Sequence, residues 1–291
     1  MTIKLLVLDF DGTITDAEAE GAPYREGCLE DIALLTGASR EEIEVLAQRF
    51  EAQVQAEPQA HGWMFGGHIV APASVDPYLR IMPVARHIFD NLGAFQVTAE
   101  RNRLLEGLLY KYNYLKTKVA FRTGARETLT GLEGQPVYVV TNSHTDAVQH
   151  KIAVLGAQGE VSDDHDPNNP LHWLVSRVTG LARKYVLDPE WDRVEESIHL
   201  DGLSRPVLLR RRLYAERINA LREETGAQWD EVMVIGDIFE LDLALPLAMG
   251  ARVGLMVNEF TPKWEVDFLR DHPRGQLLSG VPEIPSAAGW A

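Results

Sequence analysis

Two aspartates, Asp9 and Asp11, follow directly on the apolar run Leu5-Leu6-Val7-Leu8, with only Phe10 between them. In an extended segment residues i and i+2 share a face, so both carboxylates are set to point into one pocket. Two such groups repel unless a cation or a shared proton intervenes. Gly12 and Thr13, which follow at once, suit a tight turn around an anion. A second constellation, Thr141-Asn142-Ser143, stands at the end of Val137-Tyr-Val-Val140. A hydroxyl in that position, with the backbone N–H groups of a following helix start, makes a phosphate receptor. A third, Gly236-Asp237-Ile-Phe-Glu240-Leu-Asp242, again places carboxylates immediately after an apolar run.

The elements that must position these groups are legible as well. Five short, nearly continuous apolar segments read as buried parallel strands: Ile3–Leu8, Pro136–Val140, Ser197–Leu200, Glu231–Ile235 and Arg252–Val257. Helical patterns lie between them at Asp146–Leu155, Leu213–Glu224 and Leu241–Met249, the last followed by Gly250 as a C-cap. Alternation of strands with helices predicts an α/β fold with a doubly wound, Rossmann-like parallel sheet. Ligands of such sheets bind at the carboxyl ends of strands, where Asp9, Thr141 and Asp237 all fall. Residues 17–120 contain no convincing strand. Ser39-Arg-Glu-Glu42 reads as a capping box, and Ile43, Leu46, Phe50 and Val54 recur on one helical face. Val84, Ile88, Phe89 and Leu92, ended by Gly93, form a second stripe. Leu104, Leu105, Leu108, Leu109, Tyr112 and Leu115 form a third. The segment therefore reads as a mainly helical domain inserted between the first two strands of the sheet.

The segment Asp9-Phe-Asp-Gly-Thr-Ile-Thr-Asp16 resembles the first motif of the haloacid dehalogenase (HAD) superfamily of aspartate-nucleophile phosphotransferases. Thr141-Asn142-Ser143 resembles the second motif of that family and Gly236-Asp237…Asp242 the fourth. The segment Phe121-Arg-Thr-Gly-Ala-Arg-Glu-Thr-Leu129 resembles the point at which the chain re-enters the core in members with a helical cap. The resemblance implies a core domain of 1–16 and 121–291 and a cap domain of 17–120. It also implies a Mg²⁺ cofactor, held by the Asp9 and Asp237 carboxylates and the Asp11 backbone carbonyl. Mg²⁺ takes hard oxygen ligands in octahedral geometry, which these residues offer. Asp242 would orient that shell or bind a metal-coordinated water, with Glu240 as an alternative.

The reaction implied is that of a Mg²⁺-dependent phosphohydrolase acting on a small phosphorylated metabolite. Asp9 would be the nucleophile and Asp11 the proton carrier. Gly12, Thr13, Thr141 and Asn142 would hold or support the phosphate site. The cation that the family places in its third motif is assigned to Arg205 of Ser204-Arg205-Pro206, because it follows the expected strand Ser197–Leu200. Arg210 to Arg212 and Lys184 compete with it, and spacing does not decide among them. An Asp at position 11 favours phosphatases and phosphomutases over dehalogenases, whose halide leaves unprotonated. A phosphomutase, or a binding or regulatory protein that has lost catalysis, are the alternatives.

The formal net charge of −15 argues against nucleic acid or an anionic membrane as a partner. The single cysteine, Cys28, excludes an intrachain disulfide and sets a cytoplasmic expectation. The first apolar run is too short for a signal peptide or a membrane span. The sequence leaves the oligomeric state open. Two further segments stand out. Ser162-Asp-Asp-His-Asp-Pro-Asn-Asn-Pro170 reads as a polar loop rather than a separate metal site. His61-Gly-Trp-Met-Phe-Gly-Gly-His68 reads either as a mobile cover or as a loop docked on the cap core.

Overall fold

A computed structural model describes residues 2–112, 118–159 and 163–290. In chain order the strands are β1 (Leu5–Leu8), β2 (Gly62–Phe65), β3 (His68–Pro72), β4 (Val137–Val140), β5 (Val178–Thr179), β6 (Ser197–Ile198), β7 (Val207–Leu208), β8 (Val232–Gly236), β9 (Arg252–Met256) and β10 (Gly275–Leu278). The α-helices are α1 (Ala17–Thr36), α2 (Arg40–Ala56), α3 (Pro77–Leu92), α4 (Thr98–Tyr112), α5 (Ala125–Gly131), α6 (Thr145–Gly156), α7 (His172–Val175), α8 (Arg212–Thr225), α9 (Ala244–Met249), α10 (Lys263–Asp271) and α11 (Ile284–Ala287). The chain divides into two compact units. One comprises residues 1–16, 65–71 and 121–291, and the other residues 17–64 and 72–120.

The first unit is built on a six-stranded parallel sheet of order β10-β9-β8-β1-β4-β5. All four residues of β1 are completely buried, because a strand at the centre of a sheet with helices on both faces meets no solvent. Its side chains alternate between two cores. Leu5 and Val7 pack with Val232, Val234, Tyr214 and Phe239, whereas Leu6 and Leu8 pack with Met233, Ile235, Val139 and Ile152. Each such burial contributes about 1.5–3 kcal/mol relative to exposure. The apolar residues of β8 are equally buried, so the sheet is anchored hardest at the two adjacent strands that end at Asp9 and Asp237.

The expected segments at β1, β4, β8 and β9 are all strands of this sheet. Ser197–Leu200 is not. Only Ser197 and Ile198 are extended, and they pair antiparallel with Val207–Leu208 in a separate two-stranded ribbon. The strand that lies beside β4 is instead β5, two residues long and marked by no apolar run. The turn after β8 opens as a π-helical turn over Phe239–Leu243 and continues as α9, closed by Gly250 at φ 107°.

In the second unit, helices α1 to α4 share a core of Tyr24, Leu29, Ile32, Ile43, Phe50, Val84, Ile88, Phe89 and Leu105, among others. The expected stripes of α2 and α3 line it. Leu115, together with the side chains of Leu109 and Tyr112 from the third stripe, lies outside the described residues. Ser39 caps α2 by accepting a hydrogen bond from the Glu42 amide at 3.1 Å. Asp76 caps α3 by accepting from the amides of Tyr78 and Leu79. Cys28 is buried among these helices.

Segment 163–170 folds by local turn chemistry. Asp163 accepts from the His165 amide and Asp166 from the Asn168 amide, while Ser162 lies outside the described residues. Segment 61–68 forms most of a β-hairpin, β2 and β3, whose residues 65–71 group with the sheet-bearing unit. Among the described residues no helix is long and apolar enough to cross a membrane.

Candidate active site

Parallel pairing in register brings the polar strand endings together. Leu8 stands beside Val139 of β4 and Ile235 of β8, so Asp9, Thr141 and Asp237 emerge at one edge of the sheet. The Asp9 amide donates to the Ile235 carbonyl at 2.8 Å, which holds the first carboxylate on the last rung of the ladder. Asp9, Asp237 and Asp242 are all buried, and each offers an oxygen within 4.8 Å of the others. Two glycines make this approach feasible. A Cβ on Gly12, whose φ is +79°, would stand 2.0 Å from Asp237 Oδ2, and one on Gly236 would stand 2.4 Å from the Asp242 Cβ.

The cation among these carboxylates is Lys184. Its ammonium, on a side chain only 1% exposed, donates to Asp9 Oδ1 at 2.6 Å and to Asp242 Oδ1 at 2.8 Å. Arg205 lies elsewhere. Its guanidinium forms a two-pronged pair with Glu240, at 2.7 and 2.5 Å. The expectation for Arg205 thus gives way to its rival Lys184. The physical reason lies in the strands: the backbone leading to Lys184 leaves β5, the strand that pairs with β4 at the edge of the six-stranded sheet, whereas Arg205 follows β6 of a separate two-stranded ribbon. Arg210 donates to the Pro189 carbonyl, away from Asp9.

Electrostatics follow from burial. Burial raises the Asp9 pKa well above the ordinary carboxylate range. Lys184 pulls it back, and Asp242 and Asp11 push it further up. For Lys184, burial opposes the charge, but Asp242 and Asp9 outweigh it and hold the ammonium protonated beyond its usual limit. Three buried carboxylates crowd a low-dielectric site, where Lys184 bonds to Asp9 and Asp242 and the Arg122 guanidinium neighbours Asp237. That is the condition under which hard oxygen donors take up a divalent cation.

Asp11 is held separately. Ser143 Oγ donates to its Oδ2 at 2.6 Å and Lys151 Nζ donates to its Oδ1 at 2.9 Å. The Thr141 hydroxyl lies 3.5 Å from Oδ2 and accepts from the Ser143 amide. Thr13 donates to Asp9 Oδ2 at 3.2 Å, while the Gly12 amide donates to the Thr15 hydroxyl and so closes the turn internally. The Asn142 side-chain Oδ1 accepts from the Lys184 amide at 2.8 Å, tying the second constellation to the cation's own backbone. Arg122 Nε donates to the Gly12 carbonyl at 2.8 Å. Its pKa is lowered by burial, which the neighbouring Asp237 opposes.

Glu240 is fully buried, but its oxygens are taken by Arg205. Behind it Glu265 is completely buried, and its pKa is raised well above the usual value by that burial and by the Glu240 charge. Ser143 belongs to the constellation the sequence marks, though without a role of its own there, whereas Lys151 and Glu265 carry no signature that sequence reasoning singles out. A lysine in the middle of an amphipathic helix, as Lys151 is, has the look of a solvated face.

The architecture has known counterparts. A family model of haloacid dehalogenase-like hydrolases matches residues 3–250. No curated protein matches the chain by sequence. Among solved structures, the chain is similar to a haloacid dehalogenase-like protein from Agrobacterium tumefaciens, with 13% identity over 99% of this chain and 98% of that one and a TM-score of 0.52. It is similar to a protein from Haemophilus somnus described as a predicted phosphoglycolate phosphatase, with 16% identity, 98% of each chain covered and a TM-score of 0.53. It is also similar to the HAD-hydrolase YfnB of Bacillus subtilis, described as bound to magnesium. There the identity is 12%, the cover 99% of this chain and 100% of that one, and the TM-score 0.51. At such identities the structural likeness speaks for the fold alone. The family match runs from β1 through the turn that carries Asp237 and Asp242, and with it this chain belongs to the haloacid dehalogenase-like hydrolases.

Proposed function

We propose that the protein is a Mg²⁺-dependent phosphohydrolase that uses Asp9 as a nucleophile on a small phosphorylated metabolite. The observation that carries this reading is the buried cluster of Asp9, Asp237 and Asp242 around Lys184, with Asp11 held apart on its own donors. An Asp9 oxygen forms a bond to phosphorus while the bond from phosphorus to the leaving oxygen breaks. Asp11 gives that oxygen a proton. Asp11 then takes a proton from water, whose oxygen attacks phosphorus and releases Asp9 as a carboxylate. Lys184 keeps Asp9 oriented and offers positive charge where the equatorial oxygens gather it. The Thr141 hydroxyl, 3.5 Å from Asp11 Oδ2, would turn to donate to the same oxygens.

Asp9, Asp237 and Asp242 would hold the magnesium, with the Asp11 carbonyl in the role that the family resemblance gives it. When bound, the ion neutralises charge on the phosphoryl group. Residues 17–64 and 72–120 are assigned the role of a cap that selects the substrate and keeps bulk water from the reacting atoms. Cys28 is the single cysteine of the sequence and is buried, so no intrachain disulfide forms, which suits a reducing compartment and a cytoplasmic location. A phosphomutase would use the same groups and differ in what accepts the phosphoryl group.

The test compares wild type with Asp9→Asn on a panel of phosphate esters, in magnesium and in chelator. Wild type should turn over at least one ester in magnesium alone, and quenched samples should carry a phosphoryl group on the peptide bearing Asp9. Turnover no greater than that of Asp9→Asn across the panel would overturn the reading.

A further inference from the structure

The turn that delivers Lys184 is strained. Leu181 and Arg183 both occupy the left-handed region, at φ +51° and +52°, although neither is glycine. Such strain persists only where the surroundings over-determine it. Here the restraints are unusually dense. The Leu181 amide donates to the Ser143 carbonyl, the Ala182 amide to the Thr141 carbonyl, and the Lys184 amide to Asn142.

On the other side of Lys184 stands Arg211, the largest completely buried side chain among the described residues. Its guanidinium donates to the Lys184 carbonyl at 2.6 Å, to the Val70 carbonyl at 2.9 Å and to the Leu208 carbonyl at 3.1 Å. All three of these acceptors are neutral carbonyls, and burial lowers the pKa of the group to about 10 against the pull of Glu240 and Asp242. A charge kept in such a place is expensive, and here it joins three backbone segments that are remote in sequence. Val70 lies in β3, among residues 65–71 of the hairpin. The same stretch makes a second contact one residue beyond Lys184, where the Phe65 ring meets the Tyr185 ring edge-on at 4.7 Å. Segment 65–71 therefore reaches the backbone of the active-site lysine twice, through Arg211 at its carbonyl and through Tyr185 at the next residue.

We propose that hairpin residues 65–71 and Arg211 act together as positioning elements for Lys184, clamping the strained 181–184 turn so that the ammonium sits between Asp9 and Asp242. This inference rests on the phosphohydrolase reading for its kinetic consequence. It gives the hairpin a role that neither a mobile cover nor a loop docked on the helical unit describes. Residues 65–71 serve as a strut within the sheet-bearing unit, and sequence changes in them alter catalysis without touching substrate.

The test uses Arg211→Met, Arg211→Lys, Phe65→Ala and the Arg211→Met/Phe65→Ala pair in the full chain, with folding checked by thermal unfolding. A displacement of about 1 Å at a catalytic group costs about 100-fold, so Arg211→Met should lower kcat/KM for an aryl phosphate by about that factor. Arg211→Lys should restore part of it, and Phe65→Ala should cost several-fold. Because both changes act through one lysine, the loss in the pair should fall well short of the product of the two losses. Adding Arg183→Gly, which removes the strain at that residue, should recover activity in the Arg211→Met background. Amide hydrogen exchange gives a readout free of catalysis: residues 181–186 should exchange faster in Arg211→Met and in Phe65→Ala.

Multiplicative losses, or unchanged kcat/KM and unchanged exchange in folded variants, would overturn the proposal. If Arg211→Met does not fold, Phe65→Ala alone decides, since that ring is 41% exposed. A wild type without phosphatase activity would sink the parent reading, and the exchange data would still judge the clamp.

Discussion

Replacing Lys184 by Met tests the electrostatic core of the site directly. The side chain is 1% exposed and its ammonium contacts two carboxylates at 2.6 and 2.8 Å. Methionine fills similar space but leaves Asp9 and Asp242 without their shared partner. Removing one member of a buried ion group costs about 3–5 kcal/mol, because the remaining charges stay uncompensated. Set against a domain stability of about 5–15 kcal/mol, that loss is large. A cation bound to the same carboxylates should offset much of it, since a ligand at 100 times its Kd contributes about 2.7 kcal/mol. The assay is urea unfolding at pH 7.5, in chelator and in magnesium, for wild type, Lys184→Met and Lys151→Met. In chelator Lys184→Met should be less stable by about 3–5 kcal/mol, and magnesium should narrow the gap. Lys151 and Asp11 form a half-exposed pair, with side chains 23% and 31% exposed, so Lys151→Met should cost no more than about 1 kcal/mol. A Lys184→Met protein within about 1 kcal/mol of wild type in chelator would refute the argument that the carboxylates carry unbalanced charge.

Glu265→Gln should stabilise the protein at neutral pH. Burial raises the Glu265 pKa in the folded state, so unfolding releases its proton, and stability falls as pH rises above the unfolded value of 4.5. The difference between Gln and Glu should be near zero at pH 4 and should grow by about 1.4 kcal/mol per pH unit above 4.5 until the folded pKa is passed. A flat difference across that window would contradict the buried, protonated carboxyl. Gly12→Ala should weaken magnesium binding at least tenfold by calorimetry, because its Cβ would meet Asp237 Oδ2 at 2.0 Å. The positive φ adds about 1–2 kcal/mol of strain, and an unchanged affinity would show that Asp237 does not hold the ion. Asp76→Ala removes the acceptor for two α3 amides and should cost about 1 kcal/mol in chemical unfolding without changing turnover.

What the sequence discloses depends on how its strands are written. β1, β4, β8 and β9 are apolar runs of four or five residues, and the first, second and third of these end at Asp9, Thr141 and, after Gly236, Asp237. A buried run that stops at a polar residue is visible without any structure. β5 is only Val178–Thr179, held in the sheet by pairing with Val139 and Val140 rather than by a pattern of its own. The turn from β5 to Lys184 was therefore hidden, and the more apolar Ser197–Leu200 stood in for it and carried the cation to Arg205. β10, Gly-Gln-Leu-Leu, is equally plain in sequence and gains its place from β9. The donors on Asp11 were beyond reach for another reason. Lys151 meets it across tertiary contacts from the far part of α6, and no local spacing encodes that meeting.

The sheet order also fixes a timetable. β1 leaves the ribosome before the other five strands of its sheet, yet it lies between β4 and β8, and Leu5 to Leu8 find partners at Val232 to Ile235. Asp9 can therefore meet Asp237 and Asp242 only after most of the chain has been synthesised. Until then an entirely apolar strand waits with both edges open, the state in which nascent chains are most prone to associate wrongly. The helices of residues 17–64 and 72–120, whose core is drawn from near neighbours in sequence, have no such wait. They stand between β1 and the other five strands of the sheet in order of synthesis, so helices able to pack on one another emerge while β1 is still unpaired.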